Sequence, residues 1–123
     1  WMATGPVAEL RVDVDFIEPR LADPAMVLLD ARTRGEYDGG HIPGALSIDW
    51  MENVSGGAYR SVGEVAALYE GIDRSATAVA YCQTGSRAAL TWLTLVWLGF
   101  EDARLYDGSW AEWSARSELP REP

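Results

Sequence analysis

The only cysteine of the chain, Cys82, lies in the short polar segment Tyr81–Ala88. An apolar run, Thr77–Tyr81, precedes the cysteine, and Ala88–Leu98 follows it with apolar residues at helical spacing. This succession predicts a strand, a tight loop and a helix. Cys82 would then lie at the carboxyl end of the strand and face the amino end of the helix. Unpaired N–H groups and a partial positive charge at a helix start stabilise anions, so the sequence predicts a thiolate nucleophile there.

The residues that follow Cys82 support a chemical role for it. Arg87 places a permanent positive charge five residues after the cysteine, and Gly85 allows a tight turn that directs backbone N–H groups inward. The alternative is a buried and inert core cysteine, which composition alone would favour. A core cysteine does not require a polar loop after it in the sequence. We therefore predict that Cys82 is a reactive cysteine.

The composition limits the classes of function open to this chain. Its 123 residues, 48% of them hydrophobic, suit one domain with a single core. A formal net charge of −9 argues against nucleic acid as the main partner, because phosphate binding requires a basic surface. One cysteine cannot form an internal disulfide, which suits a cytoplasmic protein, and no apolar run is long enough to span a membrane. With one histidine and one cysteine we expect no zinc site, and we expect no cofactor.

Predicted strands and helices alternate along the chain, which is typical of an α/β domain with a mostly parallel sheet. We expect a lead-in at residues 1–12, one domain at residues 13–117 and a polar, frayed tail at residues 118–123. Apolar runs predict strands at Met26–Asp30, Leu46–Ile48, Thr77–Tyr81 and Ala103–Tyr106. Apolar spacing and capping signals predict helices that begin near Asp13, Ser61, Ala88 and Asp107.

Three predicted loops should meet at one edge of this sheet. They contain Cys82, the segment Asp30–Arg32 and Asp107, and each follows a predicted strand. The carboxyl ends of parallel strands lie together, and ligands of such sheets bind outside them. We therefore expect the functional site at this edge.

Several polar residues near this edge are interpreted as structural rather than catalytic. Asp30 is expected to accept hydrogen bonds at the end of its strand, and His41 to brace the turn-rich loop around it. Asp107 and Ser109 are expected to cap the last helix.

Four segments carry a resemblance to a known family and span most of the chain. They are Leu28–Arg32 with Glu36 and Tyr37, Gly40–Ala45, Tyr81–Ala88, and Tyr106–Trp113. In this order they resemble the rhodanese-type sulfurtransferases, above all the catalytic C-terminal domain of tandem thiosulfate and 3-mercaptopyruvate sulfurtransferases. The resemblance implies an α/β, rhodanese-like fold with a central sheet of about five strands, mostly parallel and flanked by helices on both faces. It also implies that an N-terminal rhodanese-like domain could belong to the whole protein.

The resemblance further implies a persulfide relay. The thiolate of Cys82 would take the outer sulfur of thiosulfate, or the thiol sulfur of 3-mercaptopyruvate, as its small anionic donor. It would then pass this sulfur to a thiophilic acceptor such as cyanide or a cellular thiol. The loop differs from both tandem subgroups, because its first two residues after the cysteine are neutral and its positive charge comes later. The donor and the persulfide would be held by Gln83, Thr84, Gly85, Ser86, Arg87, Ala88 and Arg32. Alternatively, Arg32 pairs with a nearby acid such as Glu36.

Two other functions are compatible with a cysteine in an anion-binding loop. Cysteine phosphatases and arsenate reductases use a loop that is one residue longer, whereas here four residues separate Cys82 from Arg87. The shorter loop better suits one extra sulfur atom than a tetrahedral oxyanion. The second alternative is a non-catalytic sulfur-carrier or partner-binding module, which a labile sulfur on the purified protein would distinguish.

Overall fold

A five-stranded parallel sheet forms the centre of the computed structural model, which describes residues 10–55, 58–59, 62–84 and 86–122. The strands are β1 Arg11–Val12, β2 Met26–Asp30, β3 Leu46–Ser47, β6 Thr77–Tyr81 and β7 Asp102–Tyr106. Their spatial order is β1-β7-β6-β2-β3, and each neighbouring pair is parallel. A separate antiparallel pair consists of β4 Val54–Ser55 and β5 Ala58–Tyr59.

Helices connect the strands, as parallel strands require. They are α1 Val14–Ile17, α2 Arg34–Asp38, α3 Val62–Leu68, α4 Ser86–Trp97 and α5 Ser109–Ala115, with 3₁₀ turns at Glu18–Arg20 and Trp50–Asn53. Within the described ranges, none of these helices has the length and apolar character needed to cross a membrane.

Apolar side chains cover both faces of the sheet. On one face, Leu28 and Val79 pack with Ile17 of α1 and Trp113 of α5. Successive strand residues point to opposite faces, so their neighbours form a second cluster. That cluster joins Leu29 and Ala78 to Val65 of α3 and Leu95 of α4. The predicted α/β fold, with a parallel sheet of five strands between helices, is confirmed.

Two of the predicted apolar strands, Met26–Asp30 and Thr77–Tyr81, are neighbours in the sheet. β2 and β6 have the predicted bounds, and they pair over their whole length from Met26 with Thr77 to Asp30 with Tyr81. This pairing brings the two carboxyl ends together, and the amide of Ala31 donates to the carbonyl of Tyr81 at 2.9 Å. The edge at which we expected the site is therefore formed by the ends of β2 and β6.

The structure differs from the predicted boundaries at both ends of the domain. Arg11 and Val12, expected in the lead-in, form β1 and pair with β7. A strand of two residues is too short to produce a recognisable period in the sequence. At the other end, Leu119 is buried in the core, and Glu122 exchanges two backbone hydrogen bonds with His41 at 2.7 and 2.9 Å. The segment expected as a frayed tail is thus packed against the domain.

Helix α2 was not predicted, although the sequence contains its start signal. Thr33 is the N-cap, and its hydroxyl accepts from the amide of Glu36 at 3.2 Å. The Glu36 carboxylate accepts from the amide of Thr33 at 3.1 Å, which completes a capping box. By contrast, the predicted capping residue Ser61 lies outside the described residues, although the helix expected after it is present as α3.

Candidate active site

Cys82 follows the last residue of β6 and is fully buried. The amide of Ala88, in the first turn of α4, donates to its Sγ at 3.3 Å. The predicted succession of strand, loop and helix is therefore present, and the start of α4 directs an N–H group at the sulfur. Such an N–H group, together with the helix dipole, favours negative charge on the sulfur. Gly85 and the side chain of Ser86 lie outside the described part of the chain.

The start of α5 clamps the cysteine loop from the opposite side. The amides of Trp110 and Ala111 donate to the carbonyls of Cys82 and Gln83 at 2.8 and 3.0 Å. The amide of Cys82 in turn donates to the hydroxyl of Ser109 at 3.1 Å. These three bonds fix the backbone on either side of the sulfur.

Ser109 is a positioning residue that was predicted in a different role. Its buried hydroxyl accepts from Cys82 and donates to the carbonyl of Tyr106 at 2.9 Å, and its φ of 56° lies in the left-handed region. The N-cap of α5 is Gly108, and no side chain caps the helix, so the expected capping by Asp107 and Ser109 is wrong. The Ser109 hydroxyl serves the cysteine loop instead, and Asp107 is exposed.

Replacing Ser109 with alanine should destabilise the protein by about 1–3 kcal/mol, because the buried amide of Cys82 would lose its acceptor. Alanine and serine have the same tolerance of a positive φ, so the change removes only the hydroxyl. The measurement is the free energy of unfolding in urea. Ser114→Ala, in the same helix, is the control and should change this free energy by less than about 0.5 kcal/mol. Equal effects of the two variants would contradict the assigned role.

Arg87 forms a two-point ion pair with Glu36. Its Nη1 donates to Oε1 at 2.8 Å and its Nη2 to Oε2 at 3.1 Å. The hydrogen bond from Arg87 is the main reason that the pKa of Glu36 falls to about 2. The same bond and the charge of Glu36 outweigh the effect of burial and raise the pKa of Arg87. Arg87 is therefore permanently charged, but the carboxylate of Glu36 already binds one edge of its guanidinium group.

Arg32 is buried and bound within the protein. Its guanidinium donates to both carboxylate oxygens of Asp30, the shortest contact being 2.8 Å, and to the carbonyl of Gly40 at 2.6 Å. Burial opposes its charge, but Asp30 outweighs this effect and the pKa of Arg32 is raised. Its Cζ also lies 5.1 Å from the ring centre of Trp110. The alternative that Arg32 pairs with a nearby acid is therefore confirmed, although that acid is Asp30 rather than Glu36. The contact of Arg32 with a donor stays a prediction.

His41 contacts the loop and the C-terminal segment rather than the sulfur. Its ring stacks on Tyr37 with 3.8 Å between ring centres, and its Nδ1 lies 3.0 Å from the carbonyl of Tyr37. Its Nε2 lies 3.5 Å from a carboxylate oxygen of Glu122. These contacts are those of a residue that braces its loop.

Residues 14–116 match the family described as the Rhodanese-like domain. The chain belongs to this family. The rhodanese-like domain is 40% identical over 115 residues to a thiosulfate sulfurtransferase of Corynebacterium glutamicum, which covers 79% of this chain and 38% of that protein. It is also 40% identical over 86 residues to 3-mercaptopyruvate sulfurtransferase of Escherichia coli, which covers 68% of this chain and 31% of that protein. The resemblance to rhodanese-type sulfurtransferases is confirmed.

The solved structures agree with this assignment. The anaerobic ergothioneine biosynthesis enzyme from Chlorobium limicola, bound to trimethyl histidine, superposes with a TM-score of 0.84 at 29% identity. The match covers 93% of the rhodanese-like domain and 32% of that chain. The domain thus spans less than half the length of each of these proteins.

The rhodanese-like domain brings together part of the predicted site. Hydrogen bonds link Cys82 to Ala88 of α4, and they link Cys82 and Gln83 to the start of α5. Arg32, by contrast, is bound to Asp30. Sequence reasoning missed the link between Arg87 and α2. The capping-box spacing from Thr33 could have located the helix, although not the pairing across 51 residues. No group of three His, Cys, Asp or Glu side chains suited to a metal occurs where the structure is described.

Proposed function

We propose that this domain is a sulfurtransferase that carries sulfur as a persulfide on Cys82, with thiosulfate as a donor. The Cys82 thiolate attacks the outer sulfur of thiosulfate and forms a new S–S bond. The S–S bond of thiosulfate breaks, and sulfite leaves with the electron pair. An acceptor such as cyanide or a thiolate then attacks the terminal sulfur, and the Cys82 thiolate is released.

The observation that carries this proposal is the N–H group of Ala88 directed at Sγ of Cys82 from the start of a twelve-residue helix. A relay of this type needs a sulfur that is a nucleophile in the first step and a leaving group in the second. Stabilising negative charge on that sulfur serves both steps, because the resting thiolate and the released thiolate are the same species.

The other residues of the site act on the donor or on the loop. Arg87 offers an anionic donor the N–H groups that its ion pair with Glu36 leaves available. Ser109 and the amides of α5 hold the loop, while Arg32 and Asp30 brace the neighbouring strand end. The relative from Corynebacterium glutamicum supports thiosulfate as the donor, and the relative from Escherichia coli makes 3-mercaptopyruvate the second candidate.

The test is to load the reduced protein with each donor and to determine its intact mass. Thiosulfate should add one sulfur atom, and cyanide should then remove it with formation of an equal amount of thiocyanate. A more rapid gain from 3-mercaptopyruvate would make that compound the donor. If the folded, reduced protein gains no sulfur from either compound, the proposed transfer from small anions is wrong, and sulfur delivery by a partner protein would be examined next.

A further inference from the structure

The cation nearest to the cysteine in sequence is neutralised by a carboxylate from another part of the chain. Arg87 follows Cys82 by five residues, whereas Glu36 lies on α2. The two parallel N–H···O contacts, at 2.8 and 3.1 Å, are the strongest arrangement available to an arginine and a carboxylate. Both side chains are only partly buried, with exposed fractions of 27% for Arg87 and 35% for Glu36. The pair thus lies at the protein surface beside the cysteine loop.

The capping box of α2 fixes the position of the Glu36 carboxylate independently of Arg87. Its Oε1 accepts from the amide and from the hydroxyl of Thr33, each at 3.1 Å, as part of the capping box of α2. A carboxylate fixed in this way loses little further freedom when it pairs with an arginine. Its ionised state is also secure, because its pKa of about 2 lies far below neutral pH. The negative charge beside Arg87 is therefore a permanent feature of the site.

The negative charge of Glu36 weakens the electrostatic attraction of the site for anionic donors. A guanidinium has five N–H donors, and Glu36 uses two of them, so Arg87 keeps N–H groups for a ligand. The electrostatic attraction, however, is that of an ion pair with no net charge. Because Coulomb energy is proportional to the charge of the ligand, Glu36 penalises a dianion twice as strongly as a monoanion at the same position.

We propose that Glu36 is a specificity-determining residue: by neutralising Arg87 it lowers the affinity of the site for dianionic sulfur donors more than for monoanionic ones. This inference rests on the proposed sulfur transfer through Cys82. Helix α2 contacts the site through Arg87. Its role would be in the choice of donor rather than in the chemical step.

Glu36→Gln tests the proposal with little disturbance of the fold. Glutamine is accepted at the third position of a capping box, so α2 keeps its start while the charge is removed. The KM for thiosulfate, a dianion, should fall about tenfold, and the KM for 3-mercaptopyruvate, a monoanion, should fall about threefold. The reason is that the logarithm of the fold-change in KM is proportional to the charge of the donor. The kcat values should stay within about twofold. The dependence of the thiosulfate KM on ionic strength should also become steeper.

Asp38→Asn is the matched control. Asp38 lies on the same helix and carries the same charge, but it pairs with Arg34 at 2.9 Å and not with the cysteine loop. Its replacement should change both KM values by less than about twofold, because exposed charges away from the site are screened.

Two results would overturn the proposal: equal KM changes for both donors, or an equal effect of Asp38→Asn. These results can be separated from a failure of the proposed function. If the wild-type protein gains no sulfur from either donor, sulfur transfer itself is wrong. If it gains sulfur but Glu36→Gln leaves the ratio of the two KM values unchanged, only the role of Glu36 is wrong.

Discussion

Cys82→Ser should abolish sulfur transfer, with a loss of more than about 10³-fold in kcat. The hydroxyl of serine remains protonated at neutral pH, and an alkoxide would be a far worse leaving group than a thiolate in the second step. The N–H group of Ala88, which lies 3.3 Å from the sulfur, cannot compensate for this chemical difference. The measurement is thiocyanate formation from thiosulfate and cyanide, together with the intact mass after exposure to thiosulfate.

The chain makes this experiment unusually clear, because Cys82 is its only cysteine. Any sulfane sulfur found on the serine variant would have to reside elsewhere and would contradict the mechanism. Serine is close in size to cysteine, so the buried site should keep its packing, and the thermal unfolding temperature should confirm this. Cys82→Ala provides a second inactive variant that cannot donate a hydrogen bond at this position.

Local sequence patterns were sufficient to predict the central strands and the position of Cys82 at the end of one of them. Met26–Asp30 and Thr77–Tyr81 are continuous apolar runs, and a strand buried on both faces has this pattern. The loop at Cys82 follows from the change between a strand-like run and a helical one. Because both strands are parallel, their carboxyl ends lie at the same edge, and that fact was sufficient to place the candidate site there.

The contacts that shape the site could not be predicted in the same way. The Cys82 amide meets Ser109 across 27 residues, and Arg87 meets Glu36 across 51 residues, so neither pair leaves a periodic signal. In sequence, a serine after Asp-Gly is typical of a helix cap, and only the fold shows that its hydroxyl is used elsewhere. Arg32 presents a related difficulty, because an arginine beside an anion site suggests ligand binding until its burial is known.

Arg32→Met should destabilise the protein by about 3–5 kcal/mol, because it leaves the buried Asp30 carboxylate without its partner. Methionine preserves much of the apolar volume of the side chain, so the loss reflects the charge and its hydrogen bonds. The free energy of unfolding in urea is the measurement. Activity should fall with the fraction of folded protein, while the KM for thiosulfate of the protein that remains folded should change little.

Arg34→Met is the control that makes this result interpretable. Arg34 lies two residues further along the chain and also forms an ion pair with an aspartate at 2.9 Å, but both side chains are exposed. An exposed pair of this kind contributes about 0–1 kcal/mol, so the control should be nearly neutral. If Arg32→Met instead raised the KM for thiosulfate and left stability unchanged, Arg32 would be a donor-binding residue, as the sequence suggested. A large loss of stability confined to Arg32 would show that its charge supports the edge of the sheet on which the cysteine loop is built.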